Sequence, residues 1–223
     1  MMTYSIHRYP TQLIDVWQTS DGHRVTVRPI LPQDAEPSQA FVRRLSRESR
    51  RRRFLGTLNE LAPSTLERLT QIDYRHHLAL VAEVIAGGEA ILIAEARYAC
   101  TDDAPGAEFA LAVADEWQGQ GIGARLLESL LGAARGAGIR HLFGDVLQDN
   151  EPMLRLARRA GFGSGPHPDE SRLVRVTIDP LAAATLFEPK STPGVPWLHS
   201  TLRQWRTVPE RMLAELRLGW KSA

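Results

Sequence analysis

Cysteine is almost missing from this chain. Cys100 stands alone among 223 residues, which excludes an intramolecular disulfide and any cysteine-cluster zinc site and fits a reducing, cytoplasmic setting. A surplus of either charge is missing too. Lys+Arg 27 against Asp+Glu 26 leaves a formal charge of +1, far from the basic balance of a dedicated nucleic-acid binder. Small molecules or proteins are therefore the expected partners. No long apolar run is present. The most apolar stretch, residues 78–94, is broken by Glu83, Gly87, Gly88 and Glu89, short of the roughly 20 apolar residues a spanning helix needs. Residues 1–18 carry His7, Arg8, Pro10 and Asp15 where an export signal keeps an unbroken apolar core. No membrane association or export is expected. No Ser/His/Asp grouping is apparent. The neighbours His76 and His77 point to opposite faces of a strand and cannot chelate one ion, so no metal is expected.

What the chain does have, 43% apolar and 24% charged residues, suits one compact domain with an appendage, or two small domains. Alternation of Val25, Val27 and Ile30 predicts a strand, and Ala40, Phe41 and Leu45 then follow helical spacing. A second helix is expected near Pro63, with Leu66, Leu69 and Ile72 inside. The basic run Arg50, Arg51, Arg52 and Arg53 falls between these helices and reads as a solvated face rather than a steering patch. Strands over residues 78–85 and 90–98 flank Gly87-Gly88, a suitable hairpin turn. A third strand, residues 108–113, completes an antiparallel meander. Leu126, Leu127, Leu130, Leu131 and Ala134 then mark one face of a helix.

A strand at residues 139–147, a short helix capped by Asn150 and a last strand at 173–178 complete an α+β domain. Its expected span is residues 24–179. Residues 1–23 form an N-terminal extension, and residues 180–223 an appendage with Trp197, Trp205 and a short helix at 210–218.

Between the third strand and the long helix lies Gln118-Gly-Gln-Gly-Ile-Gly. Glycines alternating at 119, 121 and 123 free backbone amides to face an anion, where the helix macrodipole also favours negative charge. The spacing Gly119-x-Gly121-x-x-Ala124, with Asp145 beyond it, formally matches a dinucleotide fingerprint. Against that reading, residues 115–118 separate strand from glycines, and an antiparallel meander precedes them where a first parallel βαβ unit belongs.

Gln118-x-x-Gly121-x-Gly123, preceded by Leu111-Ala-Val113 and followed by Asn150 and Gly161-Phe162, resembles the signature of the GNAT acyltransferase superfamily over residues 24–178. That resemblance implies a mixed, mostly antiparallel central sheet with flanking helices and a splayed strand pair that binds acyl-CoA. It implies acetyl-CoA or another acyl-CoA as co-substrate, its pyrophosphate on the amides of Gln118, Gly119, Gln120, Gly121, Ile122, Gly123 and Ala124. The pantetheine arm would bond the backbone at Leu111 and Val113 like an added strand. Asn150 is a further cofactor-side residue. Arg125 either pairs with a CoA phosphate or points to solvent.

Acyl transfer to an amine needs the neutral amine. A lysine pKa of about 10.4 leaves roughly one molecule in 2,500 neutral at pH 7, a handicap of about 4.6 kcal/mol. Glu108 alternates with Ala110 and Ala112 on one strand face, where a carboxylate raised toward working pH by burial would serve as base, directly or through a water. Gln71-Ile-Asp-Tyr74, Glu108-Phe109, Trp117-Gln118 and Leu154-Arg-Leu-Ala-Arg-Arg-Ala-Gly-Phe162 are similar to the Pat-type protein lysine acetyltransferases, which implies Glu108 as base and a protein lysine as acceptor, for instance on an acyl-CoA synthetase. Other members of the superfamily place a tyrosine where this chain has Ala157. Pat-type enzymes commonly carry a further regulatory or synthetase-like domain, for which this length leaves no room. A small-molecule amine is therefore the rival acceptor, and a non-catalytic acyl-CoA sensor the rival function.

Overall fold

The computed structural model describes residues 9–100 and 106–185. Trp197, Trp205 and the expected helix at 210–218 lie outside the described residues. The chain runs β1 (Asp15–Gln18), β2 (Arg24–Pro29), α1 (Ala35–Arg44), α2 (Arg47–Phe54), α3 (Pro63–Thr70), β3 (His77–Ala86), β4 (Glu89–Cys100), β5 (Ala107–Val113), α4 (Ile122–Gly136), β6 (Leu142–Leu147), α5 (Glu151–Arg159), β7 (Gly163–Pro166) and β8 (Leu173–Ile178). All eight strands join one open sheet in the order β1-β2-β3-β4-β5-β6-β8-β7. Every pairing is antiparallel except β5 with β6.

The expected meander is present, and Gly87 and Gly88 turn its first hairpin at φ +61° and +86°, values that glycine adopts without Cβ strain. α4 lays its predicted stripe on one face of the sheet. Leu126, Leu127, Leu130 and Ala134 are fully buried there, packed with Leu80, Ala96, Tyr98 and Phe109. Each leucine so buried contributes about 1.5–3 kcal/mol relative to exposure. The opposite face is covered by the α1–α3 region, where Phe41, Val42 and Leu45 meet Ala79, Val81 and Leu92.

Several elements differ from expectation. The sheet begins at Asp15, ahead of the expected domain start at Arg24, because four residues of β1 pair with β2 as an edge. The basic run lies inside a third helix, α2, whose only apolar residue is Phe54. It is no uniform solvated face, since the Arg53 side chain is only 5% exposed. β6 starts at Leu142, later than the expected residue 139. β7, Gly-Ser-Gly-Pro, is a strand without strand formers, held by its register with β8.

The parallel contact between β5 and β6 is short: Ala107 pairs with Leu142 and Glu108 with Phe143, and no further pair follows. Phe109 sits where the strands part. A Cβ at position 144 would lie 2.7 Å from Phe109 Cε1, so glycine there lets the ring press against the β6 backbone. The ring is backed by Phe162 at 5.0 Å between centroids. The splay thus opens immediately after Glu108.

Candidate active site

One continuous cleft of about 2840 Å³ runs through the splay and across the start of α4. Glu108, Leu111, Val113, Gln118, Gly119, Gln120, Gly121, Gly123, Ala124, Arg125 and Asn150 all line it. Ile122 does not. Its side chain is 1% exposed and belongs to the core under α4, so only its backbone belongs to the loop.

The loop is held from both ends. Asp115 accepts from Ser46 N at 2.8 Å, Ser46 Oγ at 2.7 Å and Ser49 Oγ at 2.7 Å on α2. Partial burial pushes the Asp115 carboxyl up, and those bonds bring it below its ordinary range. Gln118 Nε2 donates to Val113 O at 3.0 Å and to Ser49 Oγ at 3.3 Å, tying strand end, loop and α2 together. Gln120 Nε2 reaches Glu116 O at 3.4 Å.

Gly119 and Gly121 take φ of +77° and +82°, and Gly121 forms the N-cap of α4. The first amides of any α-helix lack an intrahelical acceptor, so those opening α4 beside the cleft are suited to donate to an anion. Gly123 has another role. A Cβ there would meet Leu156, Val113 and Leu111 carbons at 3.5–3.6 Å, ordinary contact. The fold does not demand glycine at 123, and its absent side chain leaves only the room of a methyl group between Leu111, Val113 and Leu156.

Arg125 and Asn150 have protein partners as well. Arg125 donates from Nε and Nη2 to Asp15 Oδ2 at 3.0 and 2.8 Å, and its guanidinium lies 4.4 Å from the Trp17 ring centre. Asn150 Oδ1 caps α5 by accepting from Met153 N at 3.3 Å. Asp145, the acid of the dinucleotide fingerprint, is bound at both oxygens by Arg175, at 2.8 and 2.9 Å. Ala157 is fully buried, so no proton donor reaches the cleft from that position.

Glu108 is half-buried at the last position of β5 that pairs with β6. The register places it opposite Ala99, with Ala110 opposite Arg97 and Ala112 opposite Glu95. Directly opposed residues share a face, so Glu108, Arg97 and Glu95 lie on the α1–α3 side of the sheet.

Sequence reading missed what occupies that side. Glu95 Oε1 accepts from Arg97 Nε at 2.8 Å and from Arg53 Nη2 at 3.3 Å. Burial would raise the Glu95 carboxyl, but the two guanidiniums hold it down at about 2. Burial likewise pushes Arg53 down, opposed by the charges of Glu95 and Glu108. His77, on the same face by its pairing with Ala99, is depressed to about 4 by burial and by Arg97. The available signal was the period-two spacing Glu95-x-Arg97 within an otherwise apolar strand.

A model of the acetyltransferase (GNAT) family matches residues 42–162. Acetyltransferase PA5475 of Pseudomonas aeruginosa is 36% identical over 162 residues, 72% of this chain and 87% of that protein. Acetyltransferase Pat of Mycolicibacterium smegmatis is 32% identical over 145 residues, 65% of this chain but only 43% of that protein, so the match spans less than half of that relative. Among solved structures, the GNAT domain of S. lividans PAT aligns with a TM-score of 0.68 at 32% identity, covering 77% of this chain and 99% of that one. The amide-lined loop, the strands parting after Glu108 and these relatives agree: the chain belongs to the GNAT family of acetyltransferases.

Proposed function

We propose that this chain transfers an acetyl group from acetyl-CoA to a protein lysine, with Glu108 as the general base. The observation that carries this reading is the position of Glu108 at the point where β5 and β6 part, beside the unpaired edge along which an extended pantetheine would lie. The pyrophosphate is assigned to the amides opening α4, and the arm to the β5 edge left unpaired beyond Glu108. The likeness to Pat-type enzymes supports lysine as acceptor, and the open cleft leaves room for a side chain presented by a protein.

In this scheme the ammonium of the incoming lysine loses a proton to the Glu108 carboxylate, directly or through one water. The neutral nitrogen attacks the thioester carbonyl carbon, the C–S bond breaks and CoA departs as thiolate. The nitrogen sheds a second proton as the amide forms. One proton re-forms the CoA thiol and the other goes to solvent, restoring Glu108 to its carboxylate. A thiol pKa near 8.5 allows departure without a dedicated acid, consistent with alanine at 157.

Transfer to lysine peptides, proteins and polyamines is to be compared for the full chain and Glu108→Gln. Loss of the base is expected to lower kcat/KM by about 10²–10⁴-fold on lysine acceptors. Full activity of Glu108→Gln across pH would remove Glu108 from the mechanism. Turnover with polyamines alone would replace the lysine reading, and CoA binding without any turnover would replace the enzymatic one.

A further inference from the structure

We infer that Phe109 sets the acyl-length limit of this chain: its ring closes the vertex of the splay, so that the acyl pocket holds an acetyl group and excludes butyryl and longer chains. The inference rests on the reading of the chain as an acyl-CoA transferase and adds what decides which acyl group it takes.

The backbone directs the thioester to that vertex. Ala107 N donates to His141 O at 2.9 Å, toward β6. Amides two residues apart on a strand point the same way, so those of Phe109 and Leu111 face the gap that opens once pairing stops at Glu108 and Phe143. From Phe109 to Val113 this open edge runs about 13 Å, four steps of about 3.3 Å. The start of α4 lies at its far end, since a Cβ at Gly123 would be 3.5 Å from Val113 Cγ2. An extended arm that leaves the α4 amides and follows the edge therefore ends at Phe109.

Side chains alternate along β5, so Glu108 projects to the α1–α3 side and Phe109 to the α4 side. Glu108 keeps the first side for the amine, which leaves the second for the acyl chain. There the Phe109 ring, on a residue only 5% exposed, reaches across from β5 to β6. A Cβ at 144 would lie 2.7, 3.0 and 3.1 Å from its Cε1, Cδ1 and Cζ, so the ring lies directly on the β6 backbone at the point where the strands part. Phe162 backs it at 5.0 Å between centroids. Phe109, Gly144, Val146 and Ala160 line the cleft on this side, and all but the glycine belong to the buried core under α4. Propionyl and butyryl differ from acetyl by carbon alone, so volume at the vertex decides between them. In a close-packed interior one added methylene is already felt.

The test compares acetyl-, propionyl- and butyryl-CoA in the full chain, Phe109→Leu and Phe109→Ala. Two quantities are read: kcat/KM with a lysine peptide, and the dissociation constant of each thioester without acceptor. For the full chain, kcat/KM is expected to fall about tenfold or more with each added methylene. Phe109→Leu is expected to raise the butyryl-to-acetyl ratio about tenfold, in kcat/KM and in affinity, and Phe109→Ala to raise it further. Binding of free CoA, which has no acyl group, reports an intact cleft. A loss of core packing lowers all three thioesters together and leaves their ratio unmoved. Should the alanine variant fail to fold, Phe109→Leu makes the comparison.

Equal use of butyryl- and acetyl-CoA by the full chain overturns the inference. An unchanged ratio in a folded, CoA-binding Leu or Ala variant overturns it as well. A shifted ratio of affinities with no transfer to any amine upholds the acyl limit and overturns the transferase reading instead.

Discussion

On the sheet face beneath α4, Leu80, Ala96, Tyr98 and Phe109 meet a helix stripe of leucine and alanine. On the face beneath α1–α3, aliphatic contacts around Phe41 and Val81 surround the Glu95, Arg97 and Arg53 charges. Neighbouring residues of the same two strands build both. In β4, Ala94, Ala96 and Tyr98 enter the first face and Glu95 and Arg97 the second. In β5, Phe109, Leu111 and Val113 face one way and Glu108, Ala110 and Ala112 the other. The first face supplies burial. The second takes on a desolvation cost that well-packed carbon would avoid, and the proposed base stands on that side.

The largest effect is expected from upsetting the charged face on one side only. Glu95→Gln leaves two buried guanidiniums without their carboxylate and is expected to destabilise the fold by about 3–5 kcal/mol, read from the urea midpoint. Leu127→Ala on the apolar face is expected to cost about 2–5 kcal/mol. The two differ in their dependence on a partner. Replacing Glu95 and Arg97 together with apolar residues is expected to recover much of the Glu95→Gln loss, whereas no second substitution restores the cavity left by Leu127. If Glu95→Gln costs less than about 1 kcal/mol, the charged face is not a coupled unit.

Acid sharpens the same contrast, because His77 titrates on the charged face only. Its pKa falls from 6.5 to about 4 on folding, through burial and then Arg97. Between those values the unfolded chain binds a proton that the native state does not, so stability falls as pH drops from 6.5 toward 4 and is unaffected by this group below that. The loss is at most about 3 kcal/mol, at 1.36 kcal/mol for each pH unit. Glu95 acts lower: its depressed carboxyl contributes stability above its unfolded value of about 4.5 that is lost as pH falls toward 2. His77→Gln is expected to flatten the denaturation midpoint between pH 6.5 and 4. An unchanged slope there would assign the acid sensitivity to other groups.

The same division separates what was legible in the sequence from what was not. The α4 stripe, the Gly87-Gly88 hairpin and the glycine loop depend on local rules: helical period, turn conformation and unpaired helix amides. Glu108 is proposed as base from its place on a strand of small residues near that loop and from the likeness to Pat-type enzymes, and nothing in the local sequence rules alone assigns it that role. α2 escaped because Arg-Glu-Ser-Arg-Arg-Arg-Arg-Phe has no apolar period. Its place is fixed by the Ser46 cap and by ion pairs to Glu95 and Asp149, far away in sequence. β1 and β7 are four residues each and are set by their neighbours' register.

The smallest effect is expected where charge is exposed. Arg125 and Asp15 pair at 2.8 Å with both side chains 44% accessible, and such pairs contribute about 0–1 kcal/mol. Asp15→Asn is therefore expected to lower Tm by no more than about 2–4 °C, the upper end of that range for a chain of this size, and the difference should shrink as salt screens the pair. Arg125→Ala also removes the stacking on Trp17 and is expected to do slightly more. Neither change touches the backbone amides opening α4, which carry the assigned anion contacts without any side-chain charge. KM for acetyl-CoA is accordingly expected to move less than threefold in both variants. A larger rise in Arg125→Ala, with a fall in Asp15→Asn, would mean that Arg125 leaves Asp15 to hold a CoA phosphate, and that anion binding in this cleft also draws on side-chain charge.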